Sequence, residues 1–188
     1  MRIIAGNLRG STLYITKDKT TRPLKDLVRE SIFNLLTHSK KILFQLDNSN
    51  VLDLYSGTGS FGLECLSRNS KNVYFVENER NAFEILRKNI KKLKLEKKTK
   101  VFFSNVFNLI EKEIFTSKFD IIFCDPPFKD ISAEKLIKLI FKKNLLNKGG
   151  IIILHRNVTT KEKFSSPFKI LEERVYGASK IIFGKFLI

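Results

Sequence analysis

The sequence predicts a doubly wound α/β sheet finished by an antiparallel hairpin, and three observations carry that expectation. From residue 50 onward, short apolar runs of the kind buried on both faces of a parallel sheet alternate with segments of helical period. A glycine-rich turn, Gly57 to Gly62, follows the first of these runs and opens a helix. Near the end, Phe168–Tyr176 and Lys180–Leu187 flank Gly177-Ala178-Ser179. Two strands joined by so tight a turn are antiparallel, because a parallel pair needs a long crossover.

Taken in order, Arg2-Ile3-Ile4-Ala5 and Ser11-Thr12-Leu13-Tyr14-Ile15 flank a loop with Gly6 and Gly10, a hairpin signal. Thr21-Arg22-Pro23 is a turn with proline in the first turn of a helix. That helix is expected from Leu24 to about Thr37, with Leu24, Leu27, Val28, Ile32, Leu35 and Leu36 mostly on one face. Strands are placed at Val51–Leu54, Val73–Val76, Val101–Phe103, Phe119–Phe123 and Ile151–Leu154. One helix fills Arg80 to Lys94, with Phe83, Leu86, Ile90 and Leu93 inward. Another fills Ser132 to Lys143, with Ala133, Leu136, Ile137 and Ile140 inward. No repeat or linker interrupts the pattern, so residues 1–188 are expected to form one domain and residues 1–40 an N-terminal extension of it.

Composition narrows the class. The longest apolar runs, such as Ile151-Ile152-Ile153-Leu154, are far shorter than the roughly 20 residues of a membrane span. Cys65 and Cys124 have no CxxC partner and no nearby histidines, which argues against disulfides and zinc and for two reduced core thiols in a cytoplasmic protein. Thirty-five Lys and Arg against 19 Asp and Glu give a net charge of +16, a field attractive to a polyanion. A lysine-rich surface of no particular purpose explains that charge equally well. His38 and His155 are too far apart to suggest a metal or nucleophile pair, and His38 is expected at the surface.

Val51 through Gly62 carry the first chemical signal. Gly57, Gly59 and Gly62 let the backbone turn sharply and approach a ligand, and the helix start behind them offers N–H groups to an anion. Tyr55, Ser56 and Thr58 complete the loop. A dinucleotide site has the same spacing. Asp53, four residues before Gly57, separates the readings: it suits the cationic amino-acid end of S-adenosylmethionine, whereas dinucleotide sites usually hold an apolar residue there. A capping aspartate is the competing account. Glu77, closing the next strand, suits a pair of ribose hydroxyls and supports any adenosine-type ligand.

The deciding motif is Asp125-Pro126-Pro127-Phe128, directly after a strand. An exocyclic base amine is a poor nucleophile, because its lone pair is delocalised into the ring. Two acceptors, the Asp125 carboxylate and the Pro126 carbonyl, can hold its N–H bonds and aim the lone pair at a methyl donor. The carboxylate also stabilises positive charge developing on nitrogen. Pro126 and Pro127 stiffen the loop, and Phe128 offers a face on which an extruded base stacks.

With these motifs in view, the sequence resembles the RsmD family of 16S ribosomal RNA guanine-N2 methyltransferases over nearly its whole length. Arg2-Ile3-Ile4-Ala5-Gly6 with Arg9-Gly10, then Arg22-Pro23, Asp26, Val28-Arg29-Glu30 and Phe33-Asn34, look like its opening signatures. Asp53 to Gly62 and Asp125 to Phe128 match its cofactor and catalytic motifs, and Tyr176-Gly177 with Ile181 and Phe183 its closing hairpin. The resemblance implies a seven-stranded class I methyltransferase fold, S-adenosylmethionine as donor and the small ribosomal subunit or its 16S RNA as partner. By position it assigns Asp53, Gly57, Gly59 and Glu77 to cofactor and Asp125, Pro126 and Phe128 to the base.

Two departures stand out. Where the family commonly has an Asp for the adenine amino group, this chain has Asn105, whose amide oxygen is expected to accept the same hydrogen bond. Where an acid often follows the fifth strand, it has His155-Arg156, so the site edge is expected to differ there. Arg2, Arg9, Arg22, Lys25 and Arg29, with Pro127, are the expected RNA contacts, although Arg22 or Arg29 could instead support the cofactor pocket. The chain is expected to act as a monomer, without metal or membrane. Competing readings are a DNA or RNA adenine-N6 or cytosine-N4 methyltransferase, which leaves the N-terminal block unexplained; a non-catalytic RNA-binding or assembly protein, against which the intact Asp125–Phe128 motif argues; and a dinucleotide oxidoreductase, which leaves that motif without a role.

Overall fold

The computed structural model describes residues 1–16, 24–42, 44–127, 132–161 and 163–187. Among them a seven-stranded sheet forms in the order β3-β2-β1-β4-β5-β7-β6. Its strands are β1 (Asn50–Leu54), β2 (Asn72–Glu77), β3 (Thr99–Phe103), β4 (Phe119–Cys124), β5 (Leu146–Asn157), β6 (Phe168–Tyr176) and β7 (Ser179–Phe186). The first five pair in parallel, and β7 lies antiparallel between β5 and β6. The α-helices are α1 (Asp26–His38), α2 (Ser60–Ser67), α3 (Arg80–Lys92), α4 (Val106–Glu111) and α5 (Ala133–Lys142). No helix among the described residues is long and apolar enough to cross a membrane.

From β1 the chain moves outward to β2 and β3, then returns to lay β4 on the other side of β1. This reversal opens a crevice beyond the carboxyl ends of β1 and β4, where open α/β sheets hold ligands. Both faces of the inner strands β1, β4, β5 and β7 are buried, as their apolar runs require, while the edge strands β3 and β6 are partly exposed. Side chains alternate along each strand. Val51, Val73, Phe75, Ile121, Phe123, Ile151, Ile153, Ile181 and Phe183 therefore join the core under α1, α2 and α3. Leu52, Leu54, Val76, Ile122, Cys124, Ile152, Leu154 and Ile182 join the core under α4 and α5. Continued by two residues, the first series places Asp53, Glu77, Asp125, His155 and Ser179 on the α1–α3 face. Phe61 links that core to the helices by stacking on Phe123 at 4.0 Å and Phe33 at 5.3 Å between ring centroids.

The expected N-terminal hairpin forms as a short one: Arg2 and Thr12 make a single antiparallel bridge, with Ile3 N donating to Ser11 O at 2.9 Å, Leu13 N to Met1 O at 2.9 Å and Gly10 N to Ile3 O at 3.0 Å. The loop between the two arms is further tied to α2. Asn7 N donates to Ser67 O at 2.7 Å and Ser67 Oγ donates to Ala5 O at 2.6 Å. A Cβ on Gly6, which sits at φ +81°, would stand 1.9 Å from the Ser67 carbonyl oxygen, so only glycine fits.

Fully buried Glu64 accepts from Ile4 N and Ala5 N at 2.8 and 2.9 Å and pairs with Arg68 at 2.8 Å and Arg29 at 4.0 Å. This ion cluster explains why the inward face of α1 departs from expectation. Leu27 is 66% exposed, while Arg29 is buried beside Val28, Ile32 and Phe33. The helix starts at Asp26 rather than Leu24; Thr21, Arg22 and Pro23 lie outside the described residues. Strand β5 is longer than its apolar run, extending back to Leu146 through Gly149 and Gly150.

Candidate active site

Between β1 and α2 the chain turns through Tyr55 at φ 58°, Ser56, Gly57, Thr58 and Gly59 at φ 88°. Neighbouring elements set the shape of this loop. Ser56 donates to Val76 O from both its N–H and its hydroxyl, at 3.0 and 3.2 Å, and Gly59 N donates to Ser56 O at 2.8 Å. Buried Asn89 on α3 donates from Nδ2 to Thr58 O at 3.0 Å and to Tyr14 O at 3.1 Å, and accepts from Tyr14 N at 2.8 Å. A Cβ on Gly59 would meet Leu86 at 2.4 Å, so the close packing of α3 against the loop depends on glycine there.

Asp53 sits under the loop. Its Oδ2 accepts a hydrogen bond from Gly62 N at 3.0 Å, within the first turn of α2, whose left-handed N-cap Gly59 supplies no side chain. Oδ1 is buried without a hydrogen-bond partner. Burial pushes this carboxyl well above the usual aspartate range. The Gly62 N–H partly offsets the shift, and the negative charges of Asp125 and Glu77 add to it. Asp53 is thus the capping residue that one account expected, and it also carries an unsatisfied oxygen among three acids. Such a site fits the cationic end of S-adenosylmethionine.

Glu77 closes β2. Its Oε2 accepts from Gly57 N at 2.6 Å, and Oε1 from Asn78 N and Glu79 N at 2.9 and 2.7 Å. A carboxylate has about four lone-pair sites, and three are engaged. Binding both ribose hydroxyls here therefore requires the Gly57 N–H to yield its place. Exposed Asn105 is the N-cap of α4, and its Oδ1 accepts from Phe107 N and Asn108 N at 3.0 and 3.3 Å. The oxygen expected to receive the adenine amino group is thus shared with the cap, and the side chain has no second oxygen, so accepting from adenine here requires the long Asn108 N–H bond to yield its place.

Asp125 follows β4 directly, and its N–H donates to Leu54 O at 3.3 Å, which ties it to the start of the glycine loop. Its Oδ1 lies 2.8 Å from His155 Nδ1, and His155 Nε2 lies 2.9 Å from Ser179 Oγ. Pro126 is buried and Pro127 exposed; Phe128 lies outside the described residues. Asp53, Glu77 and Asp125 thus gather at the ends of adjacent strands β1, β2 and β4.

Of the expected RNA contacts, Arg2, Arg9 and Lys25 are exposed, and Arg22 lies outside the described residues. Arg29 is corrected. It has no exposed surface, donates to Asp26 at 2.9 Å and to Arg2 O, and faces Glu64, so it cannot grip an RNA backbone. Burial pulls its pKa below the ordinary arginine value, against the pull of Glu64 and Asp26. Sequence reasoning missed Asn89, Glu64 and Ser179, and gave His155 no partner. The one available signal was that His155 follows Ile151–Leu154 just as Asp125 follows its own apolar run.

Residues 1–185 match the family model described as Conserved hypothetical protein 95. The Haemophilus influenzae protein named Ribosomal RNA small subunit methyltransferase D is 33% identical over 164 residues, covering 87% of this chain and 80% of that protein. Its Escherichia coli K12 namesake is 30% identical over 158 residues, covering 84% and 75%. The solved structure of Escherichia coli yhhF superposes with a TM-score of 0.85 at 27% identity, covering 99% of this chain and 97% of that one.

Proposed function

From the premise that this chain belongs to the Conserved hypothetical protein 95 family, the RsmD family of ribosomal RNA methyltransferases, we propose that it methylates the exocyclic N2 amine of a guanine in 16S RNA of the small ribosomal subunit. It is an S-adenosylmethionine-dependent rRNA methyltransferase. The observation that carries the reading is Asp125-Pro126-Pro127 bound through Asp125 N to Leu54 O, where the glycine loop begins. The base-facing motif and the cofactor loop are therefore held together by the same two strands.

S-adenosylmethionine supplies an electrophilic methyl group on a cationic sulfur. The chain's own residues hold and orient. Asp53 and the loop Tyr55–Gly59 face the amino-acid end of the cofactor, and Glu77 the ribose. Asp125 and the Pro126 carbonyl accept the two N–H bonds of the target amine, which localises its lone pair. As the nitrogen–carbon bond forms, the carboxylate of Asp125 stabilises the growing positive charge and can take the departing proton. Pro127 and Phe128 border the base. Residues 1–40 form the RNA-facing part of a single domain, with exposed Arg2, Arg9 and Lys25 meeting phosphates.

The test is methyl transfer from labelled S-adenosylmethionine to small subunits lacking the modification, with wild type beside Asp125→Ala. N2-methylguanosine formed by wild type alone is the expected result. Label on adenine or cytosine would keep the chemistry and overturn the assigned base.

A further inference from the structure

We propose that His155 is a positioning residue for Asp125: it holds one carboxylate oxygen so that the other faces the target amine. The proposal rests on the reading of Asp125 given above.

The fold builds this contact from two pairings. β4 and β5 are parallel with Cys124 opposite Leu154, so the next residue of each strand, Asp125 and His155, extends the same rung. β5 and β7 are antiparallel with His155 opposite Ile181 and Asn157 opposite Ser179, so Ser179 is the diagonal neighbour of His155 on the same face. Only an antiparallel last pair brings the start of β7 to the end of β5, which gives the closing hairpin a local role at the site.

Chemistry fixes the direction of the bond to Asp125. A carboxylate only accepts, so His155 donates from Nδ1–H to Asp125 Oδ1 at 2.8 Å. Nε2 lies 2.9 Å from Ser179 Oγ, and a serine hydroxyl pairs with it in either ring state, donating to a neutral ring and accepting from a charged one, while Nδ1–H stays aimed at Asp125 in both. Ser179 and His155 are 2% and 4% exposed, so little water competes for these bonds. The Asp125 side chain is 20% exposed and would otherwise sample other staggered rotamers. Holding Oδ1 leaves Oδ2 as the acceptor for the amine and selects one carboxylate orientation before substrate arrives.

The experiment compares His155→Leu, His155→Asn, Ser179→Ala and Asp125→Asn in steady-state methyl transfer to unmodified small subunits, with S-adenosylhomocysteine affinity measured calorimetrically for each. Asparagine places an N–H2 where Nδ1 stood; leucine does not. His155→Leu is expected to lower kcat roughly 10- to 100-fold, the worth of a charge-assisted hydrogen bond, with KM for both substrates within about twofold. His155→Asn restores most of kcat, and Ser179→Ala lowers it a fewfold. Wild-type kcat in His155→Leu, or equal losses in leucine and asparagine variants that bind cofactor normally, overturns the proposal. Should the leucine variant not fold, an unaltered kcat in Ser179→Ala overturns it. Full activity in Asp125→Asn would instead remove the underlying reading of Asp125.

Discussion

Asp53 accepts a hydrogen bond from Gly62 N at 3.0 Å through Oδ2 and leaves Oδ1 buried without a partner. One carboxylate thus closes a helix and keeps an unsatisfied oxygen at the mouth of the sheet. Burial raises its pKa well above the ordinary value. The folded state then binds a proton more tightly than the unfolded chain. This contribution to stability is complete below the unfolded aspartate value of about 3.9 and is lost as pH rises through the folded pKa. Asp53→Asn is expected to raise the melting temperature of the ligand-free protein at neutral pH and to flatten its pH dependence. The same change should weaken S-adenosylhomocysteine binding by roughly tenfold or more, the scale of one charge-assisted hydrogen bond. Thermal melts against pH, with and without that ligand, check both; a variant with wild-type affinity would remove Asp53 from the cofactor site.

Asn105→Asp keeps the N-cap, since aspartate and asparagine cap about equally well, and adds a second oxygen beside the one used on Phe107 N and Asn108 N. Affinity for S-adenosylhomocysteine is expected to rise by about 3- to 10-fold, one net hydrogen bond, with stability little changed. Calorimetric titration of the two proteins side by side measures it, and unchanged affinity would mean that adenine does not reach this cap.

Asn89 satisfies three backbone groups at once, Tyr14 N, Tyr14 O and Thr58 O. Asn89→Leu is expected to cost about 2–4 kcal/mol in denaturant melts, because it leaves buried donors and acceptors unpaired. Cofactor affinity should fall with it, since the Thr58 end of the loop loses its tether. A destabilised variant that binds cofactor normally would separate the two effects and show that Ser56 and Gly59 hold the loop unaided.

Arg29 and Arg2 are expected to behave oppositely. Arg29→Ala leaves Glu64 with less compensation in a buried cluster and should cost roughly 3–5 kcal/mol, read by urea denaturation. Arg2→Ala and Arg9→Ala remove exposed charges and should leave stability nearly unchanged. Each should lower the slope of log RNA affinity against log salt by about 1. A stable Arg29→Ala with a reduced salt slope would return Arg29 to the RNA-binding surface.

Much of the fold was legible because burial on both faces demands continuous apolar strands. Val51–Leu54, Val73–Val76 and Phe119–Phe123 announced β1, β2 and β4 to within two residues. Phe168–Tyr176 matched β6, and the Gly177-Ala178 turn announced β7. Helix α3 showed its charged outer face in the same way, although Phe83 turns partly aside to meet Phe103 at 5.0 Å. The short helix α4 was not foreseen, because six residues give too little period to read. The inward face of α1 was misjudged at Leu27 and Arg29, since nothing local reveals that a buried Glu64 on α2 waits for an arginine.

The sequence by itself determined what is encoded within a few residues of each position: the strand–turn–helix order, the glycine loop, the acids at the strand ends and the Asp125-Pro126-Pro127 motif. Only the tertiary structure decided which side chains meet across strands distant in sequence. The pairing of Asp125 with His155 and Ser179 depends on β5 lying beside β4 and on β7 running antiparallel to β5. The use of Asn105 as a cap and of Arg29 as a buried cation likewise depends on what packs around them. A residue type limits the bonds a side chain can form, but its burial and its neighbours select which of those bonds are made.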